Sequence, residues 1–291
     1  MKTLKKLFFF SATLLLSGCQ LDILNPKGII AIQERNLLIE ATLLMLIVVI
    51  PVIIMNFIFV WRYRAGKGKG KYTPKWAHNN SLEAVVWAIP CIIIGVLATM
   101  TWYSTHQLDP YKPLNVKQKP LVIQAVALNW RWMFIYPNQN IATINYVQIP
   151  VHTPVRFLVT SDAPMNSLEI PQLAGQIYAM TGMRTKLNLM ANEVGTYRGL
   201  STNFSGEGFS GMHFIVRVDS KNAFENWVAK TKQSKNPLTL NKYKSLAKDS
   251  QDESMHFFSS PAKNLFNSII MKYMKPGMVL DNDDVNQSAK R

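Results

Sequence analysis

The chain has 291 residues, with 32 Lys and Arg against 17 Asp and Glu, giving a net charge of +15. Its hydrophobic content of 48% lies within the globular range, and two cysteines, Cys19 and Cys91, exclude a disulfide-stapled scaffold. Three apolar blocks crowd the first third, and the remainder reads as soluble protein.

The first block opens the chain. Lys2, Lys5 and Lys6 form a basic region, followed by a short apolar run from Leu7 to Leu16. That run is too short for a hydrocarbon layer of about 30 Å, so residues 1–18 read as a signal peptide. "LLSGC" ends at Cys19 and resembles a bacterial lipobox, which makes Cys19 the expected site of a covalent lipid on a periplasmic segment 19–36. The alternative is an ordinary secretory signal that happens to contain a cysteine.

"ATLLMLIVVIPVIIMNFIFVW" and "AVVWAIPCIIIGVLATMTW" carry no charge, and each approaches the ~20 residues that a spanning helix needs. They predict transmembrane helices over 37–61 and 83–104. Pro51 and Pro90 are tolerable there, because neighbouring helices can satisfy the freed carbonyls. The loop 62–82 holds Arg62, Arg64, Lys67, Lys69, Lys71 and Lys75 and no acid, so it is expected in the cytoplasm. Both flanks then face the periplasm, as the signal peptide also requires. Much of the positive charge belongs to the signal and this loop. The rest is scattered through a translocated domain, which excludes a nucleic-acid partner. Glu83, at the mouth of the second span, reads either as an acid complementing a helix N-terminus or as a proton entry point.

From 112 to 220 the pattern changes to about seven short runs rich in β-branched and aromatic residues, bounded by Pro, Gly, Asn or Asp. Alternation in "RFLVT" and "HFIVRV" predicts an antiparallel Greek-key β-sandwich. Residues 221–291 read as a helical segment and tail, with one helix capped by Asn222. No hydrolase motif is present. His152 and His213 without a cysteine fall short of the two His and one Cys of a blue-copper site.

"LEAVVWAIP", "NWRWMFIYP", "APMNSLEIPQLAGQIYAMTGM", "GFSGM" and "NWVAKTKQS" in this order resemble subunit II of the haem–copper terminal oxidases, closest to the cytochrome bo-type ubiquinol oxidase branch. The resemblance covers roughly residues 19 to 260. It implies a two-helix transmembrane hairpin, a periplasmic cupredoxin-like domain over 112–220, and short C-terminal helices. In the cytochrome c oxidase branch this domain carries the binuclear copper centre CuA, with the loop pattern Cys-x-Glu-x-Cys-x3-His-x2-Met and an earlier His. Those positions fall on Ser201, Asn203, Ser205, Phe209 and Met212, and the earlier His on Asn166. Only Met212 keeps a ligand-type side chain, so no metal is expected and Met212 reads as core filler.

The resemblance further implies a non-redox subunit of a proton-pumping quinol:oxygen oxidoreductase. No catalytic centre and no bound cofactor are expected in this chain. Haems and copper are expected in partner subunit I, with subunits III and IV as further partners. Ubiquinol would be reached through the complex, without cytochrome c. Membrane lipids would surround it in a bacterial inner membrane. Within the family, Glu83 matches a glutamate at the entrance of a proton-uptake channel. Trp130 and Trp132 read as core or interface residues. Competing readings are a menaquinol-type oxidase subunit, a CuA-bearing cytochrome c oxidase subunit, and a free-standing lipoprotein binding module.

Overall fold

The computed structural model describes residues 21–64, 73–75, 77–249, 251 and 254–274. The chain divides into two compact units, one of residues 32–112 and one of the remainder.

Two helices dominate the first unit: α1 (Ile29–Arg62) and α2 (Asn80–Gln107). At 34 and 28 residues both are long and apolar enough to cross a membrane. They start earlier and α2 ends later than the apolar runs: α2 begins at its Asn79 cap, which accepts from the Leu82 N–H, and runs on to Gln107. Large apolar side chains of α1 such as Ile47, Ile54, Phe57 and Val60 are exposed, as in a helix whose solvent is lipid. Polar side chains within the apolar runs return to their own helix. Asn56 Nδ2 donates to the Val52 carbonyl at 3.0 Å and Thr99 Oγ1 to the Gly95 carbonyl at 2.9 Å, which lowers the cost of these polar groups in an apolar medium.

The second unit is a β-sandwich. One sheet has the order β11-β3-β2-β1-β5-β8 and the other β4-β10-β9-β6-β7, where the strands are β1 (Leu121–Leu128), β2 (Arg131–Tyr136), β3 (Ile141–Ile144), β4 (Tyr146–Pro150), β5 (Val155–Ser161), β6 (Asn166–Ile170), β7 (Ala174–Ala179), β8 (Thr185–Leu189), β9 (Gly195–Ser201), β10 (His213–Asp219) and β11 (His256–Phe258). β1 pairs parallel with β5, and β10 with β4, while the other pairs are antiparallel. The sandwich is therefore mixed, and the chain crosses repeatedly between the two sheets.

The run "LVIQAVALNWRWMFIYP" folds as a hairpin. Leu128 pairs with Arg131, leaving Asn129 and Trp130 as the turn, with Trp130 at φ 60°. "IATINYVQIP" breaks at Asn145, φ 53°, where the chain leaves one sheet for the other. The Asn145 side chain repairs the break by accepting from the Trp132 backbone N–H at 2.9 Å.

Alternation along the strands feeds two cores. Ile123, Ala125, Trp132, Phe134 and Phe157 meet Val147, Leu168, Phe214 and Val216 between the sheets. On the opposite face of the six-stranded sheet, Val126, Leu128, Met133, Ile135 and Ile144 pack beneath Leu238, Phe258, Leu265, Phe266, Ile269 and Ile270. Burying each such side chain contributes about 1.5–3 kcal/mol. The short C-terminal helices expected from the sequence are present, and this second core adds a packing role that the sequence reading did not assign to them. The segment has three short helices, α3 (Lys221–Lys232), α4 (Leu240–Leu246) and α5 (Leu265–Met271). It also adds β11 to the edge of the sheet by pairing with β3. The cap of α3 is Ser220, which accepts from the Ala223 N–H, and not Asn222. A serine hydroxyl reaches the third N–H of the helix when its own backbone is extended, as it is here.

The segment before α1 belongs to the sandwich. Lys27 and Gly28 donate backbone N–H bonds to the Gln172 carbonyl at 2.6 and 2.9 Å, and Asn192 N–H donates to the Lys27 carbonyl at 2.8 Å. Gly28 forms an antiparallel bridge with Ala191. A side chain at Gly28 would meet the backbone of Leu173, whose Cα would lie 2.7 Å from the new Cβ.

Candidate functional site

The loop between β9 and β10 carries four of the expected positions, the end of β9 carries Ser201, and the start of β6 carries Asn166. Its path is set by an indole. Trp130, projected from the β1–β2 turn, donates its Nε1–H to the Ser205 carbonyl at 3.1 Å. A Cβ on Gly208 would lie 2.6 Å from Trp130 Cγ, and one on Gly206 would lie 3.1 Å from Cζ2. Gly206 also sits at φ 114°, open in practice only to glycine. The glycines thus let the loop fold flat against Trp130, closing with a 3-10 turn over Glu207–Gly211.

Beneath the loop, four of the six positions meet. Asn166 is fully buried. Its Oδ1 accepts from the Ser201 hydroxyl and from the Ser167 backbone N–H, the latter at 3.1 Å. Its Nδ2 donates to Ser205 Oγ at 3.0 Å and to Met212 Sδ at 3.3 Å. The Ser167 N–H can only donate, so it fixes which amide atom is the oxygen. The amide N–H2 therefore points into the group formed by Ser205 and Met212. Met212 is more than the core filler that its sequence suggested, because its sulfur accepts a hydrogen bond. The other two positions turn away. Asn203 Nδ2 donates to the Met165 carbonyl at 3.0 Å. Phe209 packs edge-on to Phe204, with ring centroids 5.6 Å apart.

This donor set does not fit a binuclear copper centre. Such a centre needs bridging thiolates and imidazoles, soft or borderline ligands that select copper. Here the cluster offers an amide, two hydroxyls and one thioether, and an N–H donor occupies the place where a cation would need an acceptor. His152 and His213 are both exposed. Among the described residues, no three His, Cys, Asp or Glu side chains gather as a metal site.

Trp132, read as core or interface, is fully buried between Phe134 and Phe214, with centroids at 6.3 and 6.0 Å. Glu83 lies in the first turn of α2 and accepts from the Asn79 backbone N–H at 3.3 Å, while Asn79 Oδ1 accepts from Leu82 N–H at 3.1 Å. The pair is a reciprocal helix cap. Cys19 lies outside the described residues.

One constellation has no signal in the sequence. Asp162, whose side chain is 1% exposed, accepts from the hydroxyl of Tyr243, from Lys272 Nζ at 2.8 Å and from the hydroxyl of Tyr273 at 2.7 Å. Burial and the Asp162 carboxylate hold both tyrosines above their ordinary range, and the hydrogen bond to Asp162 holds Lys272 above its own. The clasp ties the C-terminal segment to the end of β5. "TSDAP" in isolation reads as a turn.

Comparison with known proteins agrees with this architecture. The family described as cytochrome c oxidase subunit II, periplasmic domain, matches residues 97–219, and the COX aromatic rich motif matches residues 232–277. The second match covers the segment that builds the outer core. Cytochrome bo(3) ubiquinol oxidase subunit 2 of Pseudomonas aeruginosa is 51% identical over 91% of this chain and 80% of its own length. Ubiquinol oxidase subunit 2 of Acetobacter aceti is 45% identical over 96% of this chain and 92% of its own. Quinol oxidase subunit 2 of Bacillus cereus is 36% identical over 84% and 88%. On likeness of that extent, the chain belongs to the family of cytochrome bo(3) ubiquinol oxidase subunit 2.

Proposed function

We propose that this chain is the second subunit of a proton-pumping ubiquinol:oxygen oxidoreductase and carries no redox centre of its own. The observation that supports this best is the Asn166 amide hydrogen-bonded to Ser201, Ser205 and Met212. An amide donor and hydroxyls in those places leave no soft anionic ligand for copper. Without a copper relay, electrons from a water-soluble cytochrome have no entry through this sandwich. A lipid-soluble quinol delivers them to the membrane-embedded subunit directly. Haems and the oxygen-reducing copper belong to subunit I, and subunits III and IV complete the assembly.

The chain sits in the bacterial inner membrane, with α1 and α2 as spans and the sandwich in the periplasm. Cys19 carries a lipid after removal of residues 1–18. Glu83 serves proton entry from the cytoplasmic side, in addition to its cap. Ubiquinol is favoured over menaquinol because relatives named for ubiquinol stand at 51% and 45% identity, against 36% for the Bacillus quinol oxidase subunit.

Oxygen uptake by the purified complex tests the reading. Uptake is expected with ubiquinol and absent with reduced cytochrome c. Uptake driven by cytochrome c would refute it.

A further inference from the structure

α1 and α2 enclose a groove of about 690 Å3 on the half of the hairpin away from the basic loop. Its polarity changes along its length. Ile92, Gly95 and Val96 line one end, Thr99 and Met100 the middle, and Ser104 and Gln107 the other end. α1 adds Gln33, Asn36 and Glu40. From Ile92 to Gln107 the helix rises about 22 Å at ~1.5 Å per residue. That equals one leaflet, about half of a bilayer of 40–45 Å including headgroups.

Glu40 is the only carboxylate lining the groove, and its side chain makes no hydrogen bond or ion pair among the described residues. An anion at the edge of an apolar run calls for a cationic partner. We propose that this groove holds a phospholipid with a primary-amine headgroup of the ethanolamine type. Its ammonium donates to the Glu40 carboxylate. Its acyl chains run along Ile92, Gly95 and Val96. A phospholipid with a glycerol headgroup brings a net negative charge to Glu40 and no ammonium, so it is disfavoured. A partner helix fits less well, because the groove covers one leaflet only and grows polar along its length. The proposal rests on the reading of α1 and α2 as membrane spans.

The test uses the complex purified through a tag on this chain and washed in detergent. Phosphatidylethanolamine, phosphatidylglycerol and ubiquinone are extracted and quantified per chain by mass spectrometry, and haem is measured in the same samples. Two variants probe the two ends. Glu40→Gln removes the charge at nearly constant shape. Gly95→Phe fills the apolar end, where a Cβ meets nothing within 4 Å.

The wild type is expected to retain phosphatidylethanolamine in preference to phosphatidylglycerol. Glu40→Gln is expected to lower that preference about tenfold, the effect of losing one charge-assisted hydrogen bond, with haem unchanged. Gly95→Phe is expected to lose the bound phosphatidylethanolamine. Wild-type levels in both variants would overturn the proposal. So would loss of phosphatidylglycerol or ubiquinone instead, or loss of haem in Gly95→Phe with lipid unchanged in Glu40→Gln, which would place a partner helix in the groove. Absence of haem from the wild type would refute the oxidase reading, while the lipid comparison would still decide this one.

Discussion

Replacing Asp162 by alanine removes the acceptor shared by Tyr243, Lys272 and Tyr273. The three donors are not equally costly to abandon. Tyr243 is 8% exposed, so stranding its hydroxyl costs about 1–3 kcal/mol. Lys272 and Tyr273 are 58% and 42% exposed and rehydrate. Their bonds count as surface interactions worth about 0–1 kcal/mol each. Asp162→Ala is therefore expected to destabilise the docked C-terminal segment by about 1–5 kcal/mol. Tyr243→Phe removes one hydrogen bond to a charged group, about 1.5–2 kcal/mol, and Lys272→Ala costs under about 1 kcal/mol. The readout is hydrogen exchange and limited proteolysis of residues 232–274 in the purified protein. The three variants should rank Asp162→Ala, Tyr243→Phe, Lys272→Ala in order of exposure of that segment. A larger effect for Lys272→Ala than for Tyr243→Phe would refute the argument, because it would make the exposed ion pair and not the buried phenol the stronger tie.

Glu83→Gln keeps an oxygen that accepts from the Asn79 N–H, so α2 stays capped. Oxygen turnover of the complex should nonetheless fall about tenfold, below the ~10² to 10⁴ contributed by a direct proton-transferring group. Unchanged turnover and proton uptake would leave Glu83 a cap alone. Gly208→Ala drives a methyl into the Trp130 ring and should cost about 1–3 kcal/mol, seen as a lower Tm and altered tryptophan fluorescence; an unchanged emission spectrum would mean that the loop yields freely. Burial raises the Glu169 carboxyl above its ordinary value, partly offset by a hydrogen bond involving Thr202. A raised carboxyl favours the folded state while protonated and opposes it once the pH exceeds the folded-state value. Stability from this group is thus lost as pH rises through that value. Glu169→Gln should raise Tm at about pH 7 and leave it unchanged below about pH 4, where the carboxyl is protonated in both states. A rise confined to acid would contradict the sign.

The two helices were legible because their apolar runs are long and uncharged, a signal that needs no knowledge of neighbours. The β character of 121–219 was legible for a similar reason, since period-two alternation is local. The hairpin at Asn129 and Trp130 was not. A bulky residue at positive φ has no sequence signature, and Trp130 adopts it to cover the loop glycines. The outer core was also missed. Leu238 and Phe258 are too isolated to show a period, and the stripe of Leu265, Phe266, Ile269 and Ile270 marks a helix face without saying what it covers. A clue lay elsewhere, in β1 and β2. Val126, Leu128, Met133 and Ile135 are apolar on the face opposite Ile123, Ala125, Trp132 and Phe134, and strands apolar on both faces require cover on both. In the candidate site, the resemblance picked out positions but not roles. Whether Asn166 offered its oxygen or its N–H2 to the loop depended on Ser167, and that is settled by folding alone.

The bridge between Gly28 and Ala191 joins two segments that lie on either side of both long helices in the sequence. Residues that share hydrogen bonds occupy one compartment, whatever lies between them along the chain. Any bilayer that this polypeptide traverses must then be traversed an even number of times between residues 28 and 191. The bond also closes late, because Ala191 is synthesised after both helices. A helix that failed to insert, or inserted alone, would leave the two segments on opposite sides and the strap unmade. If α1 and α2 span a membrane, the small contact at Gly28 can form only once both have crossed it.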